Sequence, residues 1–135
     1  MESSFLMPAS LGAALASVGA AIQWWAAKDK AAQAGHFALG IILALYVGAR
    51  LASGPLSEAI MESAFASVVL LLSLFALRYW PRGVGVLIIA HGLYDQVFAH
   101  SAGLPDWYPP FCLGVDVVLG AAVVAMAPAR AREAY

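Results

Sequence analysis

The sequence predicts an all-α fold, a polytopic membrane bundle of five transmembrane helices with the N-terminus outside and the C-terminus inside. Three observations carry that prediction. Of 135 residues, 63% are hydrophobic and 11% charged, with a mean hydropathy of +0.83, whereas soluble domains carry about 25% charged residues. Five apolar runs approach the roughly 20 residues that a spanning helix needs. The Lys and Arg residues then fall almost entirely on one side of a five-span arrangement.

The first run covers 5–27. The opening MESSFLMPAS holds Glu2 and no Lys or Arg ahead of the apolar stretch, unlike a secretory signal, so a retained helix is expected. KDK at 28–30 ends it, and the second run follows over 33–52. SGP at 53–55 separates this from the third, 56–79, which contains Glu58 and Glu62. After the PRG turn at 81–83 comes the fourth, 83–101, the shortest and most polar; were it to re-enter rather than cross, the count would fall to four. GLPDWYP at 103–109 leads into the fifth, 110–127. No internal repeat or dividing linker is visible, so 1–135 reads as a single transmembrane helical domain.

Positive residues favour the cytoplasmic side of a membrane. Lys28, Lys30, Arg78, Arg82, Arg130 and Arg132 share one side of the five-span arrangement, and Arg50 stands on the other. Trp24, Trp25, Tyr79 and Trp80 would form an inner aromatic belt, with Trp107 and Tyr108 in an outer one. The expected location is the bacterial cytoplasmic (inner) membrane, with the lipid bilayer as the first partner. A net charge of −1 and the lack of a basic, aromatic stretch exclude nucleic acid as a partner. Cys112 is the sole cysteine, which rules out an internal disulfide and a CxxC metal pair.

Gly12, Ala16 and Ala20 recur at every fourth position of the first run, and Gly40, Ala44 and Gly48 do so in the second. Small residues at this spacing let helices approach closely in lipid. They serve packing within one bundle, a homo-oligomer, or contact with a partner in a membrane complex.

Function is expected where polar residues enter the apolar chain. HGLYDQVFAHSAGLPDWYPPFCLGVD, from His91 to Asp116, brings two histidines, a cysteine and three aspartates into or between the last two helices. A carboxylate near the bilayer centre costs roughly 2.5–3.5 kcal/mol on insertion scales, and such residues face a bundle interior, a partner or water. His91 with Asp95, Cys112 with Asp116, and Glu58 with Glu62 are each four residues apart, hence on one helical face. At 1.5 Å per residue, Glu62, Asp95 and Asp116 each lie about 9 Å inside the outer helix ends. His91 sits deeper, and His100, Asp106, Cys112, Glu58 and Arg50 nearer the mouth. The pattern describes a polar funnel opening outward.

Three neighbouring carboxylates cannot all stay ionised without cations or protons. A divalent metal could neutralise them, with His91, Asp95, His100, Asp116 and Glu62 as the ligand candidates; His and carboxylate donors suit zinc, manganese or iron. No HExxH or paired ExxH motif accompanies them. Alternatively, His91, Asp95, Asp116 and Glu62, assisted by Tyr94, could form a pocket for acid–base chemistry on a lipid-soluble small molecule. The third option is a structural hydrogen-bonded network satisfied by Arg50 and water. His36, flanked by small residues in AAQAGHFALG, would leave room for a haem or pigment macrocycle, but it is poorly level with His91 for axial ligation and is simpler as a packed residue.

HGLYD, then His100, then LPDWYPPFCLGVD together resemble a set of uncharacterised small bacterial multi-helix membrane proteins with a His-x-x-x-Asp helix followed by a Trp-Tyr-x-x-Phe-Cys-x-x-x-Asp segment. The resemblance covers the last two helices, about a third of the chain. It implies a shared site at His91, Asp95, His100, Trp107, Tyr108, Cys112 and Asp116, without implying an activity. Two departures are Tyr94, where that pattern often has Trp, and the single His100, where it has adjacent histidines.

Two functions from different classes are therefore expected. The first is an integral membrane protein whose outer-half His/Asp/Glu site binds a metal ion or performs acid–base chemistry. The second is a non-catalytic accessory or assembly subunit of a larger membrane complex. A haem- or pigment-binding protein or an oligomeric transporter comes third.

Overall fold

The computed structural model describes residues 2–98 and 104–129, and among them every regular element is helical. In chain order these are α1 (Glu2–Ala27), a 3-10 turn (Lys28–Lys30), α2 (Ala31–Ser53), α3 (Leu56–Tyr79), α4 (Arg82–Phe98) and α5 (Tyr108–Met126). Three helical stretches are long and apolar enough to cross a membrane: Ser4–Ser53, Leu56–Tyr79 and Tyr108–Met126. The first contains both α1 and α2. Their shared turn redirects the chain at Ala27, whose φ of −161° and ψ of 55° leave the helical region. α4, with 17 residues, is shorter than the others, about 26 Å long at 1.5 Å per residue.

The third apolar run coincides with α3. α2 begins at Ala31, two residues before the expected start, because the alanines there favour helix. α5 begins at Tyr108 instead of residue 110. Proline in the first turn lacks an N–H that would have no intrahelical acceptor anyway, so Pro109 and Pro110 start this helix rather than delay it. Residues 99–101 of the expected fourth run lie outside the described residues.

Helices α1 to α5 alternate in direction, which produces two chemically different ends. At one end, Arg50 on α2 meets Glu58 on α3 and the Phe98 carbonyl on α4. At the other, Arg82 Nε donates to the Ala127 carbonyl just beyond α5 at 3.1 Å. Lys28, Lys30, Arg78 and Arg82 occupy this second end, while Arg130 and Arg132 lie outside the described residues.

Periodicity selects the buried faces. On α2, Gly35, Leu39, Leu43, Tyr46 and Arg50 point inward, and on α3 Ala59, Glu62, Ala66, Val69, Ser73 and Ala76 do, at spacings of three and four. Leu39, Leu43, Val84, Ile88 and Val123 form the apolar centre. The exterior is also apolar, with Met7 78%, Trp25 90% and Phe37 72% exposed, while Arg50, Glu62, His91, Asp95 and Asp116 are buried. An apolar outside around buried charge is the arrangement expected of an integral membrane protein.

Glycines bring α5 against two neighbours. A Cβ on Gly114 would lie 2.0 Å from the Ala9 carbonyl oxygen of α1, and one on Gly12 would lie 2.2 Å from that of Phe111. On the opposite side, a Cβ on Gly85 would be 2.4 Å from the Gly120 carbonyl oxygen. The helices therefore pack backbone to backbone, as small residues permit in lipid. The second small-residue row behaves differently: a Cβ on Gly48 would meet nothing within 4 Å, and Gly40 only Leu70 at 3.7 Å. Gly40, Ala44 and Gly48 instead line an open groove between α2 and α3 with Ser63 and Ser67.

Candidate functional site

The fourth helix places His91 and Asp95 one turn apart on its buried face, and Gly92 between them lets α5 come close enough for Asp116 to reach the histidine. A Cβ at Gly92 would lie 2.8 Å from the Asp116 Cβ. His91 Nδ1 is 3.0 Å from Asp116 Oδ2, and His91 Nε2 is 3.6 Å from Asp95 Oδ1. One nitrogen and one oxygen from each carboxylate lie within 4.8 Å of one another, a grouping that could hold a metal ion. Their side chains are 1%, 0% and 1% exposed for His91, Asp95 and Asp116.

The two ring nitrogens have different jobs. Asp116, as a carboxylate, accepts from Nδ1–H, which fixes the ring and leaves the Nε2 lone pair facing Asp95 when the imidazole is neutral. No group makes a hydrogen bond of good geometry to Nε2 or to either Asp95 oxygen, although the Tyr46 hydroxyl is close enough to interact with the Asp95 carboxylate. Two acceptors opposed at 3.6 Å in a buried site require a positive species, either a proton or a cation.

Tyr46 on α2 covers this pair. Its ring stands edge-on to His91, with centroids 5.4 Å apart and planes at 77°. Its buried hydroxyl faces the Asp95 carboxylate, to which it can donate. Tyr108 packs beside Tyr46 at 6.2 Å, and Cys112, buried between the two tyrosines, is electrostatically within reach of Asp95 and Asp116. Tyr46 is not among the residues that the polar spacing points to. Its register with Leu39, Leu43 and Arg50 was the available signal, because those positions share one face of α2.

Glu62 is not among the atoms grouped with His91. Its Oε2 lies 3.9 Å from Arg50 Nε, and Arg50 Nη1 donates to Glu58 Oε2 at 2.8 Å. Arg50 therefore engages both glutamates. Tyr94 stacks on Phe65, with centroids 4.4 Å apart, and its ring is 6.3 Å from His91. It stands beside Glu62, toward the mouth.

His36 belongs elsewhere, with Nδ1 2.8 Å from the Ser73 hydroxyl oxygen. Asp106 and Trp107 are exposed in the approach to α5, and His100 lies outside the described residues. Ser67 bonds within its own helix, to the Ser63 carbonyl.

Comparison with protein-family models, curated proteins and solved structures found no match.

Proposed function

We propose that this protein is a membrane metalloprotein that holds one divalent transition-metal ion between His91 and Asp95, with Asp116 orienting the histidine. The opposition of two buried acceptors, His91 Nε2 and Asp95 Oδ1, at 3.6 Å carries this reading. One divalent charge balances two carboxylates with a neutral imidazole. Mixed nitrogen and oxygen donors suit zinc, manganese or iron. Donors about 2.0–2.2 Å from an ion are separated by roughly 3.3–3.6 Å in tetrahedral geometry, close to the spacing found. A carboxylate on the far ring nitrogen is the usual support for a metal-ligating histidine.

Burial favours an ion over a bulky substrate as the resident ligand. Side chains 0–1% exposed offer a lipid-soluble molecule no contact unless α4 and α5 part, whereas an ion needs no large cavity. Bound there, the metal would supply Lewis-acid polarisation. Asp116 would hold Nδ1–H, and the apolar centre would exclude water. Five membrane crossings with the Lys28 and Arg82 end toward the bacterial cytoplasm would put the site in the outer half of the bilayer.

Elemental analysis combined with native mass spectrometry of gently solubilised protein tests the reading. One ion per chain is expected, lost in His91→Ala and Asp95→Asn. Asp116→Asn should weaken binding about 10–100-fold, the usual effect of removing outer-shell support. Metal-free wild-type protein that also takes up none of these ions on titration would sink the proposal.

A further inference from the structure

Exposure falls along a line of charged side chains entering from the Arg50 end of the bundle. Glu58 is 45% exposed, Arg50 8%, Glu62 6% and Asp95 0%. These residues come from α3, α2, α3 and α4, so the line crosses the bundle rather than following one helix. Glu62 has a buried Oε1 outside good hydrogen-bond geometry, lies close enough to the Tyr94 hydroxyl to accept from it, and is within electrostatic reach of His91 and Asp95. Tyr94, stacked on Phe65 and packed against Phe98 at 4.6 Å, forms an aromatic wall beside it.

Among the described residues, two other directions are closed. Toward the Lys28 end, Leu39, Leu43, Val84, Ile88 and Val123, all 0–2% exposed, fill the bundle axis. The α4–α5 seam is shut by the Gly85–Gly120 backbone contact. A hydrated cation crossing either barrier would lose its water without gaining an oxygen donor. Along the glutamate line, carboxylate oxygens are available at successive depths.

Arg50 controls that line through an asymmetry. It is held at 2.8 Å by Glu58, the exposed partner, and lies 3.9 Å from Glu62, the buried one. Its guanidinium therefore sits closer to Glu58 than to Glu62, and its positive charge opposes cation passage.

We infer that Glu62 is the transit carboxylate through which a divalent cation moves between the Glu58 mouth and the His91–Asp95 site, and that Arg50 is the electrostatic gate of this path. The inference rests on the metal-binding reading above and adds the route and its control. Glu62 acts before and after binding and is not a ligand of the resident ion. Its removal should change rates in both directions while leaving occupancy at equilibrium unchanged.

Cobalt(II) serves as the probe because its visible absorption reports binding directly. Full-length protein in detergent is loaded with cobalt and then stripped with excess EDTA, with absorbance followed by stopped flow. Glu62→Gln is expected to retain wild-type stoichiometry and affinity while slowing both loading and stripping at least tenfold. Glu62→Asp, which keeps the charge, should fall between the two. Glu58→Gln should also slow exchange, since it releases Arg50 toward Glu62. Unchanged rates in Glu62→Gln would overturn the path, as would loss of cobalt from a Glu62→Gln protein with wild-type helicity, which would make Glu62 a ligand. No cobalt bound by wild type would overturn both the path and the metal-binding reading.

Discussion

Replacing Gly92 by alanine tests the helix contact on which the site depends. The new Cβ would lie 2.8 Å from the Asp116 Cβ and 3.3 Å from Asp116 Oδ2. Carbon atoms in ordinary contact are about 3.5–4.0 Å apart, so α4 and α5 must separate by at least about 0.7 Å. If that movement passes to the His91–Asp116 pair, its 3.0 Å contact lengthens beyond the roughly 2.7–3.2 Å of a hydrogen bond. Overpacking costs about 1–3 kcal/mol and a hydrogen bond to a charged group about 1.5–3 kcal/mol, against a gain of about 1 kcal/mol from alanine's helix propensity. The net destabilisation is about 1.5–5 kcal/mol on these principles. Metal affinity should fall about 10–100-fold with loss of the orienting carboxylate.

Gly48→Ala is the control, because its Cβ would meet nothing within 4 Å. It reports the propensity gain alone. Both variants are compared with wild type by thermal unfolding in detergent and by metal titration against a chromophoric chelator. A Gly92→Ala protein that matches Gly48→Ala in midpoint temperature and in affinity would mean that the α4–α5 contact at Gly92 does not hold the site together.

Two further substitutions separate packing from the site. Gly114→Leu should detach α1 from α5, since even a Cβ there would sit 2.0 Å from the Ala9 carbonyl oxygen; faster hydrogen exchange across the first half of α1 is expected, and unchanged exchange would contradict the close contact. Ser73→Ala leaves His36 Nδ1 without its 2.8 Å partner and should cost about 0.6–1.5 kcal/mol in thermal stability. Metal content should stay at the wild-type level in Ser73→Ala, and its loss would show that the His36–Ser73 pair reaches the site.

Much of the candidate site could be read from spacing. His91 and Asp95 share a face because they are four residues apart on one helix, and an aspartate in the middle of the fifth apolar run has to point inward. The same logic placed Glu62 at a similar depth, but depth along a helix does not say which neighbour a side chain meets. Arg50, four residues after Tyr46 on the buried face of α2, lies closer to Glu62 than a shared carboxylate layer would suggest. Tyr46 shares a helix face with Leu39, Leu43 and Arg50 in sequence, but that register does not show its edge-on contact with His91.

Helical class, an apolar exterior and the concentration of positive charge at one end were legible along the chain. These follow from composition and from periodicity, which are local properties of the chain. The partners of the polar groups were decided by tertiary structure. Whether Asp116 meets His91 or another group depends on how closely α4 and α5 approach, and that distance is set by Gly85, Gly92 and Gly120 from different helices. The two small-residue rows read alike in sequence, yet Gly12 is buried against α5 while Gly48 faces open space. A side chain's absence permits close approach, but which helix arrives there is settled by the packing of the whole bundle.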